Sequence, residues 1–277
     1  MISILRVELF RLVKSKLFWI MLGVCFALPL LSSLFVVGFI GIFDNIASDV
    51  PEFADLSYML HSIGMASSTL AGLASIASNV SLLSLISASV ILSKEFTDGT
   101  VRNALLANKS RTQLYFAYLI ISLMIGAAYT LAFFAATLIF VVPIFGFEGL
   151  SAGNAVAACF SSLALGLFTV VFVQTCVTMF LFAVRKQWAT VLFPILICRF
   201  VPSIFTGIVT MLTFGEAMQG GVLSETVTSW MPFVNAGYFD PAAIDGGLIG
   251  KIIMYYALFS AVFVVSGYFT FKKADLK

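Results

Sequence analysis

Charge is scarce in this sequence. Its 277 residues include 15 Lys and Arg and 13 Asp and Glu, so 10% are charged, against about 25% in an average soluble domain. A solvated surface of ordinary composition cannot be made from so few charges, and a formal net charge of +2 is too small to imply a nucleic-acid partner. Histidine is rarer still: His61 is the single example, so a metal site would need Cys or carboxylate ligands beside it. The four cysteines, Cys25, Cys159, Cys176 and Cys198, are scattered through the apolar runs with no CxxC pair, Cys159 and Cys176 sharing one run 17 residues apart, and read as small packing residues. GxxxxGK[ST], GxSxG and HExxH are all missing, which removes P-loop, α/β-hydrolase and zincin chemistry. If nucleotide is used, another chain holds it. No Gly/Ser linker, charge block or soluble-length stretch divides the sequence, so residues 1–277 read as one domain.

What is present is apolar: 61% of the residues are hydrophobic. They gather into six runs, Leu17–Phe43, Ile63–Leu92, Leu114–Ile144, Ala155–Val184, Ala189–Phe214 and Ile249–Phe271. About 20 helical residues cross a hydrocarbon layer of about 30 Å. The runs are too long for barrel strands of about 9–11 residues and lack strict alternation, so the fold class is an all-α membrane protein with six transmembrane helices. The first run exceeds the apolar core of a signal peptide and leads into further apolar residues, so it is read as a retained helix.

Basic residues give the orientation. Arg6, Arg11, Lys14 and Lys16 precede the first run; Lys94, Arg102, Lys109 and Arg111 separate the second from the third; Arg185 and Lys186 separate the fourth from the fifth; Lys272, Lys273 and Lys277 close the chain. These segments alternate on one side, which the positive-inside rule makes cytoplasmic. Both termini are therefore expected in the cytoplasm, with Lys251 the lone basic residue among nine acidic ones on the far side.

In residues 1–16, Ile2, Leu5, Leu9, Leu12 and Val13 fall on one helical stripe with Glu8, Arg11 and Lys14 opposite. That pattern predicts a short amphipathic helix lying in the cytoplasmic interface; a basic anchor continuing the first span is the alternative. The second run, "GMASSTLAGLASIASNVSLLSLISAS", repeats small residues every four positions at Gly64, Ser68 and Gly72 and at Ala71 and Ser75. Such spacing lets helices approach closely. It reads either as internal packing or as a face where Ser67, Ser68, Ser75, Ser78, Asn79 and Ser84 border a translocation path or a dimer contact. Arg199 sits in the fifth run, where a charge costs about 2.5–3.5 kcal/mol. Pro194 and Pro202 flank it, and each frees a carbonyl that the guanidinium could cap. The other reading gives Arg199 a polar cavity or a partner subunit, with Glu216 as counter-ion. Residues 215–248, carrying Trp230, Phe233, Tyr238 and Phe239, are expected to form an extracellular re-entrant or interfacial segment.

Between the second and third runs, residues 93–113, lies "KEFTDGTVRNALLANKSR", the densest charge in the chain. Asp98 or Thr100 can cap a short helix through Val101, Arg102, Leu105 and Leu106, Gly99 allows a sharp entry, and Glu95 can pair with Arg102. A solvated hairpin has the same composition. The segment resembles the Glu-x-x-x-Gly-Thr … Leu-Leu … Ser-Arg signature of ABC-2-type permeases, the membrane subunits of ATP-binding-cassette exporters, in Glu95, Gly99, Thr100, Leu105, Leu106, Ser110 and Arg111. The bacitracin-exporter-like branch is the most similar. The chain has Asn108 where many members have Pro or Gly, and Tyr118 where Lys is frequent.

The resemblance implies an ABC-2 (type V exporter) permease fold in a bacterial cytoplasmic membrane, with an N-terminal elbow helix. It also implies a coupling helix at residues 93–113 that seats in an ATPase subunit and a second contact at Arg185 and Lys186. The coupling set is then Glu95, Asp98, Gly99, Thr100, Arg102, Leu105, Leu106, Arg111, Arg185 and Lys186. Two ATPase subunits would carry ATP and Mg, this chain would bind no cofactor, and a second permease copy or paralogue would complete the complex. Relatives export peptides, antibiotics, lipids or glycans. The expected function is a non-enzymatic permease subunit exporting a hydrophobic or amphipathic substrate, a peptide or antibiotic-like molecule first. Two other classes stand against it: a secondary transporter working through Arg199, and an intramembrane enzyme, which lacks a Ser/Lys, paired-Asp or His/Glu constellation at one depth.

Overall fold

The computed structural model describes residues 2–49, 54–101, 110–147, 151–184, 186–201, 204 and 246–273, all helical apart from short turns. In chain order the helices are α1 (Ile2–Lys14), α2 (Lys16–Asp49), α3 (Ala54–Thr97), α4 (Arg111–Ala136), α5 (Val142–Phe145), α6 (Ala152–Val184), α7 (Gln187–Ile195) and α8 (Gly246–Lys273). π-helical turns at Thr137–Val141 and Leu196–Phe200 continue α4 and α7. Among the described residues five segments are long and apolar enough to cross a membrane: Lys16–Ile42, Asn79–Thr97, Arg111–Phe145, Ala152–Val184 and Ile249–Lys273; Gln187–Phe200 is a shorter apolar helix. The fifth expected run, Ala189–Phe214, continues beyond the described residues, and most of the expected outer segment at 215–248 lies outside them.

Helices α3, α4 and α6 form the centre, and α2, α7 and α8 pack around them. The tightest crossings use glycine. A Cβ on Gly166 of α6 would meet Ile76 of α3 at 2.7 Å, and one on Gly126 of α4 would run into Val170 of α6. Gly72, in the small-residue stripe of α3, would bring a Cβ only to 3.4 Å from Thr137, an ordinary contact. Gly267 of α8 is as tight, with a Cβ there 2.7 Å from Tyr115 Oη and 3.0 Å from Met179 Cα, so close approach is made on α4, α6 and α8, where helices without a hydrophobic drive to associate gain dispersion contact instead. By contrast α2 turns a broad apolar surface outward, with Ile20, Leu31, Leu34 and Phe35 all exposed.

Each π turn adjoins a proline, Pro143 two residues after the first and Pro194 two residues before the second. A proline removes one i→i−4 bond and crowds the turn before it, and an extra residue in the turn absorbs that misfit. The carbonyl that Pro194 leaves without its helical donor is that of Thr190, and Ser89 Oγ of α3 donates to it at 3.1 Å. At this carbonyl a neighbouring helix's hydroxyl serves, which reaches the site without burying a charge, and Pro202, whose freed carbonyl is the other that Arg199 could cap, lies outside the described residues.

The stripe expected on α1 also needs correction. Leu5, Leu9 and Leu12 do face the bundle, but Glu8, expected on the polar face, lies among them with 8% of its surface exposed, while Val13 is exposed. Val7 and Phe10 point outward beside Val13. Thus α1 has apolar residues on two sides and one carboxylate turned inward, an arrangement that only the ion pairs at this end of the bundle explain.

Candidate functional site at the basic end of the bundle

The ends of α3, α6 and α8 meet in an aromatic cluster. The Phe182 ring meets Phe96 edge-on with centroids 5.3 Å apart and Phe271 at a tilt with centroids 4.3 Å apart, and Tyr115 and Tyr118 of α4 complete the cluster. This brings Lys94, Arg111, Lys186, Lys272 and Lys273 to one end, where α1 lies across the end of α3 and the start of α4. Arg11 is the tie: its Nη1 donates to Glu95 Oε2 at 2.7 Å across 84 residues of sequence, and to Glu8 Oε1 at 3.3 Å on its own helix. The expected partner of Glu95, Arg102, lies outside the described residues; the bond seen goes to α1, which folds back over the end of α3 and presents its guanidinium there.

Two carboxylates share one arginine, and their environments differ. Burial pushes the Glu8 carboxyl up from 4.5 to about 7, Glu95 adds like-charge repulsion, and Arg11 opposes both. Burial thus favours the neutral carboxyl of Glu8, and the shorter contact of the guanidinium is the one with Glu95, 2.7 Å against 3.3 Å.

Just beyond Glu95 the chain turns. Asp98 N–H donates to the Lys94 carbonyl at 2.8 Å and Gly99 N–H to that of Phe96 at 3.3 Å, ending α3. Gly99 has φ of 70°, the left-handed conformation that only glycine adopts without strain, and the helix restarts at Thr100. Val101 is buried in the core at 2% exposure. Arg102, Leu105 and Leu106 fall outside the described residues. Among the described residues neither Asp98 nor Thr100 makes a side-chain hydrogen bond, so the expected side-chain cap is not seen there. After the gap Ser110 caps α4, its Oγ accepting from Gln113 N–H at 3.2 Å. Arg111 donates to the Phe271 and Lys272 carbonyls at the last turn of α8, at 3.4 and 3.1 Å, where a cation complements the helix dipole. Lys186 is exposed at the start of α7, its carbonyl accepting from Thr190, and Arg185 is outside the described residues.

Deeper in the bundle the path candidates separate. Ser84 is fully buried and bonds its own helix at the Ser81 carbonyl, so it faces packing and no cavity. Ser75 and Asn79 line a cavity of about 290 Å³ between α2, α3 and the π turn of α4. Asn79 also lines a second, of about 420 Å³, with Arg199. Arg199 Nη2 donates to Ser81 Oγ at 3.0 Å. The side chains of Ser68 and Ser78 are outside those described. Sequence reasoning missed Tyr129, which joins Ser87 to the Phe18 carbonyl, and Gln174, whose Oε1 accepts from Ser122 at 2.6 Å. A polar residue inside an apolar run was the available signal for each.

A family model described as ABC-2 family transporter protein matches residues 4–206, from α1 through the π turn that carries Arg199. The chain belongs to this family. It is a multi-pass ABC-2 membrane protein, a component of membrane transport and not itself a catalyst. Comparison with curated proteins and with solved structures returns no match. ABC-2 permeases generally partner with ATPase subunits.

Proposed function

We propose that this chain is the permease subunit of an ATP-driven exporter of the bacitracin-exporter-like branch, in a bacterial cytoplasmic membrane with both termini cytoplasmic. In this reading α1 is the elbow helix and six spans cross the bilayer, the fifth being the run 189–214. Residues 93–113 and the Arg185–Lys186 turn seat on two ATPase subunits that hold ATP and Mg, and a second permease copy or paralogue completes the complex. The substrate is hydrophobic or amphipathic, a peptide or antibiotic-like molecule, because the cavities beside Ser75, Asn79 and Arg199 offer apolar and hydrogen-bonding surface with little fixed charge.

The observation that carries this reading is the Arg11–Glu95 pair set directly before the Gly99 turn. A force applied to the loop is passed through Glu95 to α1 and, through Arg111, to the end of α8. In a solvated hairpin nothing would require those ties. Purification from the native membrane tests the assignment. An ATPase should accompany the chain, and Glu95→Gln should retain that partner while the complex loses substrate-stimulated hydrolysis. Full export and full stimulation in Glu95→Gln and Gly99→Val together would reduce the loop to a passive connection.

A further inference from the structure

Between α1 and the ends of α2, α3 and α4 lies a cleft of about 1000 Å³, bordered at one end by Glu95 and Asp98 of the proposed coupling loop. Its rim is cationic: Arg6, Lys14, Lys16 and Lys94 are exposed around it. None of the four has an ion-pair partner among the described residues; of the three carboxylates that line the cleft, Glu8 and Glu95 are held by Arg11 and Asp98 is exposed, so that with Arg11 the cations outnumber the carboxylates five to three. Its inner wall is aliphatic, built from Leu17, Val90, Ile91 and Ile121. The two characters are separated along the bundle axis. Ile121 lies about 15 Å along α4 from Arg111, and Val90 about 12 Å along α3 from Asp98, at about 1.5 Å per residue. The outward apolar residues of α1, Val7 and Phe10, close the outer side, with Lys14 Nζ 4.3 Å above the Phe10 ring. Trp19, exposed on the first turn of α2 with its Nε1 donating to the Val13 carbonyl, marks the level of the headgroups beside the rim.

We infer that this cleft is a binding site for an anionic phospholipid of the leaflet on the basic side, with the phosphate at Arg6, Lys16 and Lys94 and an acyl chain along Val90, Ile91 and Ile121. Charge complementarity selects the headgroup, since basic pockets between spanning helices retain anionic lipid. The apolar wall selects a chain-bearing ligand: it runs into the hydrocarbon below the reach of a subunit docked on the surface, so an acidic face of the ATPase cannot fill it. The lipid then wedges α1 against the Glu95 end of α3 and holds the Arg11 tie in place. The inference is independent of what the transporter exports.

The test uses the full chain in detergent, mixed with dioleoyl phosphatidylglycerol or dioleoyl phosphatidylcholine and weighed by native mass spectrometry. Phosphatidylglycerol should be retained about tenfold more than phosphatidylcholine, since each cation near the headgroup favours anionic lipid. The triple variant Arg6→Gln, Lys16→Gln, Lys94→Gln should fall to the phosphatidylcholine level. Ile91→Trp, which fills the inner wall and keeps every rim charge, should lose the lipid as well. Neither inorganic phosphate nor glycerophosphoglycerol, the headgroup without chains, should displace it. Equal retention of the two lipids by the unaltered chain overturns the inference whatever the variants do. Displacement by the free headgroup or by phosphate makes the cleft a soluble-anion site. Retention of phosphatidylglycerol by the triple variant, together with loss of the co-purifying ATPase, assigns the rim to that subunit instead.

Discussion

At the basic end of the bundle, polar side chains bond to other elements: Arg11 on α1 to Glu95 on α3, Arg111 on α4 to the carbonyls of α8. In the apolar middle most hydroxyls turn back on their own helix. Thr130, Thr137, Thr169 and Thr178 each donate to the carbonyl four residues earlier, at 2.8–3.0 Å. The contrast follows from the surroundings. Where water is near, a charged side chain can extend to a distant partner at modest cost, whereas in hydrocarbon a hydroxyl is safest with an acceptor that its own backbone guarantees. A hydroxyl in the middle therefore says little about neighbours unless its bond leaves the helix, as those of Ser87, Ser89 and Ser122 do.

The sharpest way to break this comparison is at the Gly99 turn. Gly99→Val forces a β-branched residue to a φ of 70°, a strain of about 1–3 kcal/mol, with open space around it, so the bundle should still insert. Transport by reconstituted vesicles should fall on the order of tenfold or more, and Glu95→Gln should do the same with ATPase activity uncoupled from substrate. Normal export in both would remove the functional meaning of the ties at this end.

Arg199 is next, because it is a charge in the middle whose bond leaves its helix. Arg199→Leu and Arg199→Lys should both lower transport, the lysine variant less, as a point charge cannot keep the fork that reaches Ser81. If leucine transports as well as arginine, the cavity shared with Asn79 is packing space. A thiol placed at Asn79, in a background without the native cysteines, should react with a small aqueous maleimide while one at Ser84 should not.

Two smaller effects sharpen the contrast. Ser89→Ala leaves the Thr190 carbonyl without its donor and should cost about 0.6–2 kcal/mol, read as a lower melting midpoint in detergent, whereas Thr169→Val, which loses only a local bond, should cost less. Glu8→Gln should act through pH. With its carboxyl raised from 4.5 to about 7, the folded protein keeps a proton that the unfolded chain has released. The stability this contributes is full below 4.5 and lost as the pH rises through about 7. Glutamine, fixed in the neutral form, should flatten the melting curve over that window and melt a little above the unaltered chain at pH 8.

The spans were legible because transfer into hydrocarbon is additive over a run of residues, and a window of apolar side chains carries its own signal. Four of the described spanning segments coincide closely with runs read from the sequence: Lys16–Ile42, Arg111–Phe145, Ala152–Val184 and Ile249–Lys273. The sharp turn at Gly99 was legible too, since a positive φ restricts the residue type, whereas the cap that Ser110 supplies to α4 was not read: the cap candidates were Asp98 and Thr100. The place of Glu8 was not. Counting around α1 put it with Arg11 and Lys14, because an isolated helix has no way to know that Glu95 of α3 will meet Arg11 on its buried side.

By itself, then, the sequence determined that the chain is helical, apolar enough to cross a membrane many times, basic at one set of turns, and marked with an ABC-2 signature; each of these is a property of neighbours in the chain. Tertiary structure decided which hydroxyl answers Pro194, which glycines carry the helix crossings, that Glu95 belongs with Arg11, and that α1 stands off α3 by a cleft with a cationic rim and an aliphatic wall. Those depend on residues far apart in the chain arriving at one depth and one face, and a helical period of 3.6 constrains each helix alone without saying how two will be turned toward each other.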